Sequence, residues 1–473
     1  MNTFFLILYF VLTLGVIFVI IYYGRRPTKS ISWVLAVIVL PFAGPILYYL
    51  FGVNRRKFRF FNIREFERRK KISRHSPISG DEFLADFPDD LRKKRLSNLI
   101  SSNSNATPKK GNAISILNDG EETFDALFKA MEKAEKFIHV QYYILEKGML
   151  LDKMLKLFEK KINEGVTVRI IYDSFGSYYL KGKPKKKFRE IGVEMRAMMP
   201  LRLGNLLFSL NYRNHRKIVV VDNKIAFTGG VNISDKYIKA EGELGKWKDT
   251  HLQIKGPLVN DLHLIFLKDY FYASNKDDFD ASDYLSEQTS QGETVAQVVA
   301  GGPDSNQPVI MQQYIGMVNQ AKSKIYIANP YFMPGQAFLQ ALKIVVQQGV
   351  DVHLLVPNKS DSKAAMYAMF SQFEELLKIG AKIYLRDDFS HSKILIVDED
   401  LVSIGSGNFD NRSFEHNYET NILIYDESCN AMISEEFLKI RKRSNELDYE
   451  SFKKRPRWKK FLEGFSKFFK PLL

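Results

Sequence analysis

Cysteine is almost missing from this chain: Cys429 is the only one in 473 residues. A disulfide framework and any Cys-based zinc site are excluded by that count. Acidic residues are also short, 54 Asp and Glu against 69 Lys and Arg, which leaves a net charge of +15. Such an excess points to an anionic partner, whether nucleic acid, phosphate groups or an acidic membrane surface. Apolar material is plentiful. With 45% hydrophobic and 13% aromatic residues the chain is no disordered polymer, because burial can offset the ordering entropy. Its length suggests two or three structural units.

Charge is absent altogether from residues 3–23, TFFLILYFVLTLGVIFVIIYY. A helix rising about 1.5 Å per residue over this run matches a hydrocarbon core of roughly 30 Å. No basic stretch precedes the run and no small-residue cleavage site follows it, so it reads as a membrane span and not a signal peptide. A second run, Ser32 to Phe51, carries Pro41, Gly44 and Pro45 and is expected to be kinked or re-entrant. Residues 1–53 thus read as an N-terminal transmembrane helical hairpin.

Residues 54–75 hold ten Lys/Arg and two Glu, against three basic residues, Arg25, Arg26 and Lys29, in the link between the runs. That asymmetry places residue 54 onward in the cytoplasm. Residues 453–473 hold eight Lys/Arg and one Glu, with Trp458, Phe461, Leu462, Phe465, Phe469 and Leu472 at helical spacing. This is a basic amphipathic C-terminal helix, which either lies in a membrane interface or docks on the core by its aromatic face. The two segments carry the whole net charge, so the rest of the chain offers no basic nucleic-acid surface.

Between them the chain repeats itself. AEKFIHVQYYI (134–144) parallels AKSKIYIANPYF (321–332), and GVTVRIIYDSFGS (165–177) parallels GVDVHLLVPNKSD (349–361). NHRKIVVVDNKIAFTGGVN (214–232) parallels SHSKILIVDEDLVSIGSGN (390–408). Helical patterns such as FDALFKAMEKA (124–134) separate the strands, so each copy is expected to be an α/β layer with a mixed sheet. The expected organisation is 54–115 as basic segment and linker, 116–295 as first half, 296–452 as second half and 453–473 as terminal helix.

The third repeated block carries the chemistry. His215-x-Lys217-x4-Asp222 recurs as His391-x-Lys393-x4-Asp398, each followed by a Gly and then by Asn232 or Asn408. On a strand His and Lys two apart share a face, so an imidazole and an ammonium project into one space. Asp222 and Asp398 have the opposite parity and sit where the strand turns, which suits positioning the chain. A phosphodiester needs its oxygens neutralised, a nucleophile, and a proton for the leaving alkoxide. Two Lys and two Asn can hold the oxygens, one His can attack phosphorus, and the other can serve as acid. No metal or other cofactor is required, and the carboxylates are too scattered for a two-metal site. A nucleophilic His needs an acceptor on its far nitrogen. Glu419, 28 residues after His391, and Asp249, at the matching place in the first half, are the candidates.

These blocks resemble the phospholipase D superfamily, and together with PFAGPILYYLFG, DSFGS (173–177), NPYFMP (329–334) and NFDNRSFEHNYETN (408–421) they resemble its bacterial cardiolipin synthases. The resemblance implies two pseudo-symmetric phospholipase D-type halves behind the hairpin. It implies transfer of a phosphatidyl group between two phosphatidylglycerol molecules, giving cardiolipin and glycerol at the cytoplasmic membrane. It also implies His215, Lys217, Asp222, His391, Lys393 and Asp398 as the catalytic set, with phosphatidylglycerol and anionic lipids as partners and no nucleic acid. A hydrolase or nuclease using the same two histidines is the alternative. One departure stands out: Gly230 occupies the place that Ser406 holds in the second copy.

Overall fold

In the computed structural model the described residues are 3–23, 27–40, 42–49, 81–200, 212–240, 242–274, 280–467 and 470. The basic segment 54–75 lies outside them.

Fifteen strands form one sheet whose order is a near-palindrome. In the first half these are β1 (Lys109–Leu117), β2 (Phe137–Tyr142), β3 (Thr167–Asp173), β4 (Glu194–Met198), β5 (Ile218–Val221), β6 (Ile225–Gly229) and β7 (His251–Lys255). The second half has β8 (Thr294–Gly301), β9 (Lys324–Ala328), β10 (Asp351–Pro357), β11 (Lys382–Arg386), β12 (Ile394–Val397), β13 (Leu401–Gly405), β14 (Glu419–Ile424) and a short edge strand β15 (Asn445–Glu446). From the centre outward the first half runs β1-β7-β6-β5-β2-β3-β4 and the second β8-β14-β13-β12-β9-β10-β11. Strands β2, β3 and β4 are parallel, as are β9, β10 and β11, while β5–β7 and β12–β14 run as antiparallel meanders. The mixed α/β fold with two like halves expected from the repeats is what forms.

The seam between the halves differs from expectation. Residues 76–115 read as a linker with one short helix, yet they contain the helix Leu91–Ser104 and most of β1, the strand that joins the halves. β1 pairs antiparallel with β7 on one side and β8 on the other. Its opening KKGN hides it, since two lysines, a glycine and an asparagine are poor strand formers. Tertiary contacts override that propensity: Lys109 is buried with its Nζ 2.8 Å from Asp261, and Asn112 donates to the Thr294 carbonyl at 3.2 Å. Helices cover both faces. One apolar core lies under both halves, with Ile218 and Phe266 from the first and Ile396 and Phe437 from the second. Two further cores, one per half, fill the other face.

Asp222 and Asp398 face backbone amides, the chain-positioning role that their parity suggests. Each follows β5 or β12 in a left-handed conformation, φ 53° and 52°. Asp222 accepts hydrogen bonds from the amides of Glu135, Lys136 and Phe137 at 2.7–2.8 Å, fastening the β5–β6 turn to the start of β2. Asp398 does the same for Lys322, Ser323 and Lys324 before β9, and its carboxylate also holds Arg92 at 2.9 Å. At about 3.3 Å per extended residue each carboxylate lies roughly 16 Å along the chain from its Lys.

At the N-terminus the first apolar run is a helix, Thr3–Tyr23. The second is broken: one helix, Pro27–Val39, ends before Pro41, Phe42 has φ 63°, and a short helix Ala43–Leu47 follows. This matches the expected interruption. Ile20, Val37 and Tyr48 pack between the helices, and Tyr9 donates to the Ile38 carbonyl. Among the described residues no helix is long and apolar enough to cross a membrane.

The C-terminal helix, Arg457–Ser466, is docked, but not by its aromatic face. Glu463 and Ser466 are buried, and Arg455 clamps Glu463 and Glu374 at 2.6 Å each, while Trp458, Phe461 and Phe465 stay exposed. Phe469 and Leu472 lie outside the described residues.

Removing the Asp398 carboxylate leaves several backbone donors without an acceptor, a loss of about 1–3 kcal/mol for each buried group so orphaned. Asp398→Ala is expected to lower the thermal midpoint clearly while the fraction that stays folded keeps its turnover number. A folded but inactive variant would place the residue in the catalytic set.

Candidate active site

His215 and Lys217 lie in an extended segment just before β5, and His391 and Lys393 just before β12, one step outside the ladders expected to contain them. The alternation still holds. Lys217 Nζ donates to the His215 carbonyl at 2.7 Å, and Lys393 Nζ lies 2.7 Å from His391 Nδ1 and donates to the His391 carbonyl.

Both segments leave their own half to pair with the other. The His215 amide donates to the Tyr418 carbonyl at 2.9 Å and the Tyr418 amide to the Arg213 carbonyl at 2.9 Å. The His391 amide donates to the Lys248 carbonyl at 2.7 Å, with Lys248 donating to Phe389 at 2.9 Å. Residue 418 precedes Glu419 and residue 248 precedes Asp249, so these parallel bridges carry each carboxylate across the seam. Glu419 Oε2 lies 3.0 Å from His215 Nδ1, and Asp249 Oδ2 lies 2.8 Å from His391 Nδ1. Both candidates meet a histidine, with partners exchanged: sequence position paired each carboxylate with the histidine of its own half, and the structure pairs it with the other.

The two pairs are not equivalent. His215 Nδ1 faces two acceptors, Glu419 Oε2 and the Ser406 carbonyl at 3.1 Å, so Nδ1 carries the proton and the Nε2 lone pair is free. Glu419 also accepts from Ser406 Oγ at 2.5 Å, Ser413 Oγ at 2.8 Å and Asn417 Nδ2 at 3.3 Å. Burial alone would raise its pKa, but His215, Lys217 and Ser406 outweigh burial and hold it below the usual carboxylate value. Asp249 accepts from His391 and from the Thr250 amide at 2.8 Å, and burial pushes it up to about 6 despite the two lysines. Gly230 shows why no serine helps it. A Cβ there would sit 2.0 Å from Asp249 Oδ1, so the carboxylate fills the volume that Ser406 occupies in the other half.

Four cationic or potentially cationic groups are buried together. Burial drives Lys217 down to about 7 and Lys393 to about 8, with Glu419 and Asp249 opposing it. His215 is lowered chiefly by burial, against Glu419. His391 is held well below 6.5 by burial and then by the charges of Lys393, Lys217 and His215. A space lined this way is built to receive negative charge. Among the described residues no group of three or more His, Cys, Asp or Glu side chains converges as a metal site.

The asparagines are split in role. Asn232 is buried and its Oδ1 accepts from the Ile144 amide, which ties up that atom. Asn408 is buried with Oδ1 lacking any hydrogen-bond partner, leaving a polar tip available.

Several supporting residues escaped the sequence reading. Asp173 at the end of β3 accepts from Arg213 at 3.1 Å and from the Asn214 amide at 3.0 Å, holding the entry to His215. Asp269 accepts from Arg216, Gln141 and Asn214 at 2.7–3.0 Å, clamping the residue between His215 and Lys217. Neither acid has a repeat partner of its own type, so the repeat gave no signal for them. Tyr143 and Tyr331 lie edge-on to His215 and His391 at centroid distances of 4.9 and 6.1 Å, whereas Tyr142 and Phe332 are core. Of the other histidines, His139 and His263 form a buried pair at 2.8 Å.

Residues 127–261 and 314–441 match the family described as cardiolipin synthase, PLD-like domain, and residues 11–52 match the phospholipase D-nuclease N-terminal family. The chain is 36% identical over 477 residues to cardiolipin synthase 2 of Staphylococcus epidermidis, covering 98% of this chain and 96% of that one. It is 37% identical over 459 residues to a cardiolipin synthase of Geobacillus sp., covering 96% and 91%. Among solved structures, phosphatidylserine synthase of Haemophilus influenzae superposes with a TM-score of 0.62 at 15% identity, over 80% of this chain and all of that one, a likeness of fold.

The Gly230 contact makes a sharp test. Gly230→Ser should displace Asp249, unseat His391 and lower kcat at least tenfold, while Gly230→Ala in a chain also carrying Asp249→Gly regains none of the lost rate because the acceptor is gone. A fully active Gly230→Ser enzyme would contradict the packing.

Proposed function

The chain belongs to the cardiolipin synthase family of PLD-like proteins, and from that membership we propose that it joins two phosphatidylglycerol molecules into cardiolipin and releases glycerol. The observation that supports the mechanism best is the unequal support of the two histidines. His215 has a fixed tautomer, a free Nε2 and a carboxylate held in its charged form, so it is the nucleophile. Its Nε2 attacks phosphorus, the bond to the glycerol headgroup breaks, and a phosphatidyl-histidine forms whose positive charge Glu419 offsets. His391 gives a proton to the departing glycerol oxygen. It then takes one from the hydroxyl of the second phosphatidylglycerol, whose oxygen attacks phosphorus and restores His215. Protons and bonds balance without a co-reactant.

His391 starts neutral because burial, and then the neighbouring cations, hold it so. An anionic phosphodiester arriving between Lys217 and Lys393 offsets that repulsion and lets His391 take up the proton it must deliver. Lys217, Lys393 and Asn408 are the groups we assign to the phosphoryl oxygens; Asn232 contributes by holding Ile144 and the adjoining loop.

We also assign the N-terminal hairpin to the cytoplasmic membrane, with residue 54 onward on the cytoplasmic side. Phe10, Leu14, Phe18 and Ile21 are each more than half exposed on the first helix, a surface suited to lipid. The exposed aromatic face of the helix Arg457–Ser466, beside its basic residues, suits the same membrane's anionic surface. A nuclease has no use for such an apolar anchor, which favours the lipid reading.

Incubated with phosphatidylglycerol, the purified full-length enzyme should yield cardiolipin and free glycerol in equal amounts; phosphatidic acid without cardiolipin would overturn the synthase reading. Quenched with labelled lipid, His391→Ala should trap the phosphatidyl group on His215, and label appearing instead on His391 of a His215→Ala chain would reverse the assignment. The pH profile is a further check. Lys217 is pushed down to about 7 in the free enzyme, so kcat/KM should decline above that pH as the ammonium is lost. Bound phosphate stabilises the ammonium, so the alkaline limb of kcat should lie at higher pH than that of kcat/KM.

A further inference from the structure

Between β3 and the helix Lys183–Glu190 the chain makes an aromatic projection that neither the fold nor the chemistry explains. Phe175, Tyr178 and Tyr179 are 52%, 56% and 65% exposed, three large rings within five residues. The repeat partner of this segment, NKSDS at 358–362 after β10, has no aromatic residue, so the architecture does not demand them. Immediately beyond, KGKPKKK (181–187) supplies five lysines, of which Lys186 pairs with Glu190 of the same helix at 3.4 Å. That helix is held to the half by buried Phe188, which leaves Lys183, Lys186 and Lys187 exposed, while Lys185 lies over the Tyr172 ring at 5.3 Å.

The projection is rigid and close to the reacting groups. Asp173 Oδ1 accepts from the amides of Phe175 and Gly176 at 2.9 Å each. Ser177 Oγ donates to the Tyr143 carbonyl at 2.9 Å and accepts from the Leu145 amide at 3.0 Å. Gly176 packs so tightly that a Cβ would meet the Tyr143 carbonyl oxygen at 2.4 Å. Tyr143 is the residue whose ring lies 4.9 Å from that of His215. One short chain of contacts therefore links the exposed rings to the nucleophile. The same Asp173 that fastens this projection also fastens Arg213 and Asn214 ahead of His215.

We propose that residues 174–187 are a bilayer-contacting lip of the first half. Phe175, Tyr178 and Tyr179 enter the headgroup layer, and the lysines of 181–187 meet anionic phospholipid there. Amphipathic rings settle at the level of the headgroups, and basic residues beside them gain from the negative surface. Lys181 already sits over the Tyr178 ring at 4.3 Å, which places cation and ring at one depth. The occupant is an anionic bilayer and not a second protein, because five clustered lysines beside three rings complement that surface in both charge and polarity. The inference rests on a lipid substrate for the site, and it adds a place: His215 is held at the plane where phosphodiesters lie, beside rings that the second half's matching segment 358–362 lacks.

The test uses the full chain with Cys429→Ala and Tyr179→Cys, labelled with an environment-sensitive fluorophore and reconstituted into vesicles of phosphatidylcholine with or without phosphatidylglycerol. In phosphatidylglycerol vesicles the label should shift to the blue and be quenched at least twofold by headgroup-level nitroxide lipid; both effects should shrink at high salt and in phosphatidylcholine alone. In parallel, Tyr178→Ser with Tyr179→Ser should raise the surface KM for lipid severalfold with kcat kept. A label that stays water-exposed in both vesicles overturns the proposal. So does a label that is shielded yet not quenched by lipid, since a second copy or another protein would then cover it. Cardiolipin formation by the unaltered chain is measured separately, so a wrong substrate assignment and a wrong lip give different results.

Discussion

Everything at the centre of this protein depends on two carboxylates that cross from one half to the other. A buried imidazole is costly to charge, and each histidine here owes its orientation to an acid supplied by the opposite repeat. The backbone enforces the exchange, because parallel bridges at Asn214–Tyr418 and Lys248–Ser390 set the register in which His215 meets Glu419 and His391 meets Asp249. The continuous sheet through β1 and β8 fixes that register over its whole width. Neither half holds a complete site alone.

Around this crossing, charge is arranged with little slack. Lys217 and Lys393 are fully buried beside the histidines, and burial lowers their affinity for protons although Glu419 and Asp249 oppose it. Asp173 and Asp269 stand behind the His215 segment and neutralise Arg213 and Arg216, so those cations brace the backbone and do not compete for substrate. In the His391 segment Ser390 and Ser392 take the places of Asn214 and Arg216. The more heavily braced histidine is the one whose tautomer is fixed.

Much of this was legible in the amino-acid order because a duplicated block reports on itself. The two His-x-Lys pairs, the strand and helix alternation and the carboxylates Asp249 and Glu419 were all readable from spacing. What spacing could not give was which carboxylate meets which histidine, since that is decided by strand pairing between copies and not within one. The opposite parity of Asp222 and Asp398 already set them apart from the histidines and lysines, and their oxygens serve the amides at the starts of β2 and β9. The seam strand was hidden for a different reason. Lys109 and Asn112 argue against a strand locally, and partners more than 150 positions away, Asp261 and Thr294, help make the assignment favourable.

Gly230 has a consequence for the history of such an enzyme. If the two halves were separate identical chains, symmetry would give both histidines the same acid and the same neighbours, and neither could specialise. Fusion into one polypeptide lifts that restriction. A shorter Asp, with a glycine cleared to admit it, can stand on one side while Glu and its attendant serine stand on the other. Covalent linkage thus lets a symmetric scaffold become an asymmetric reactor, with division of labour written into one missing side chain.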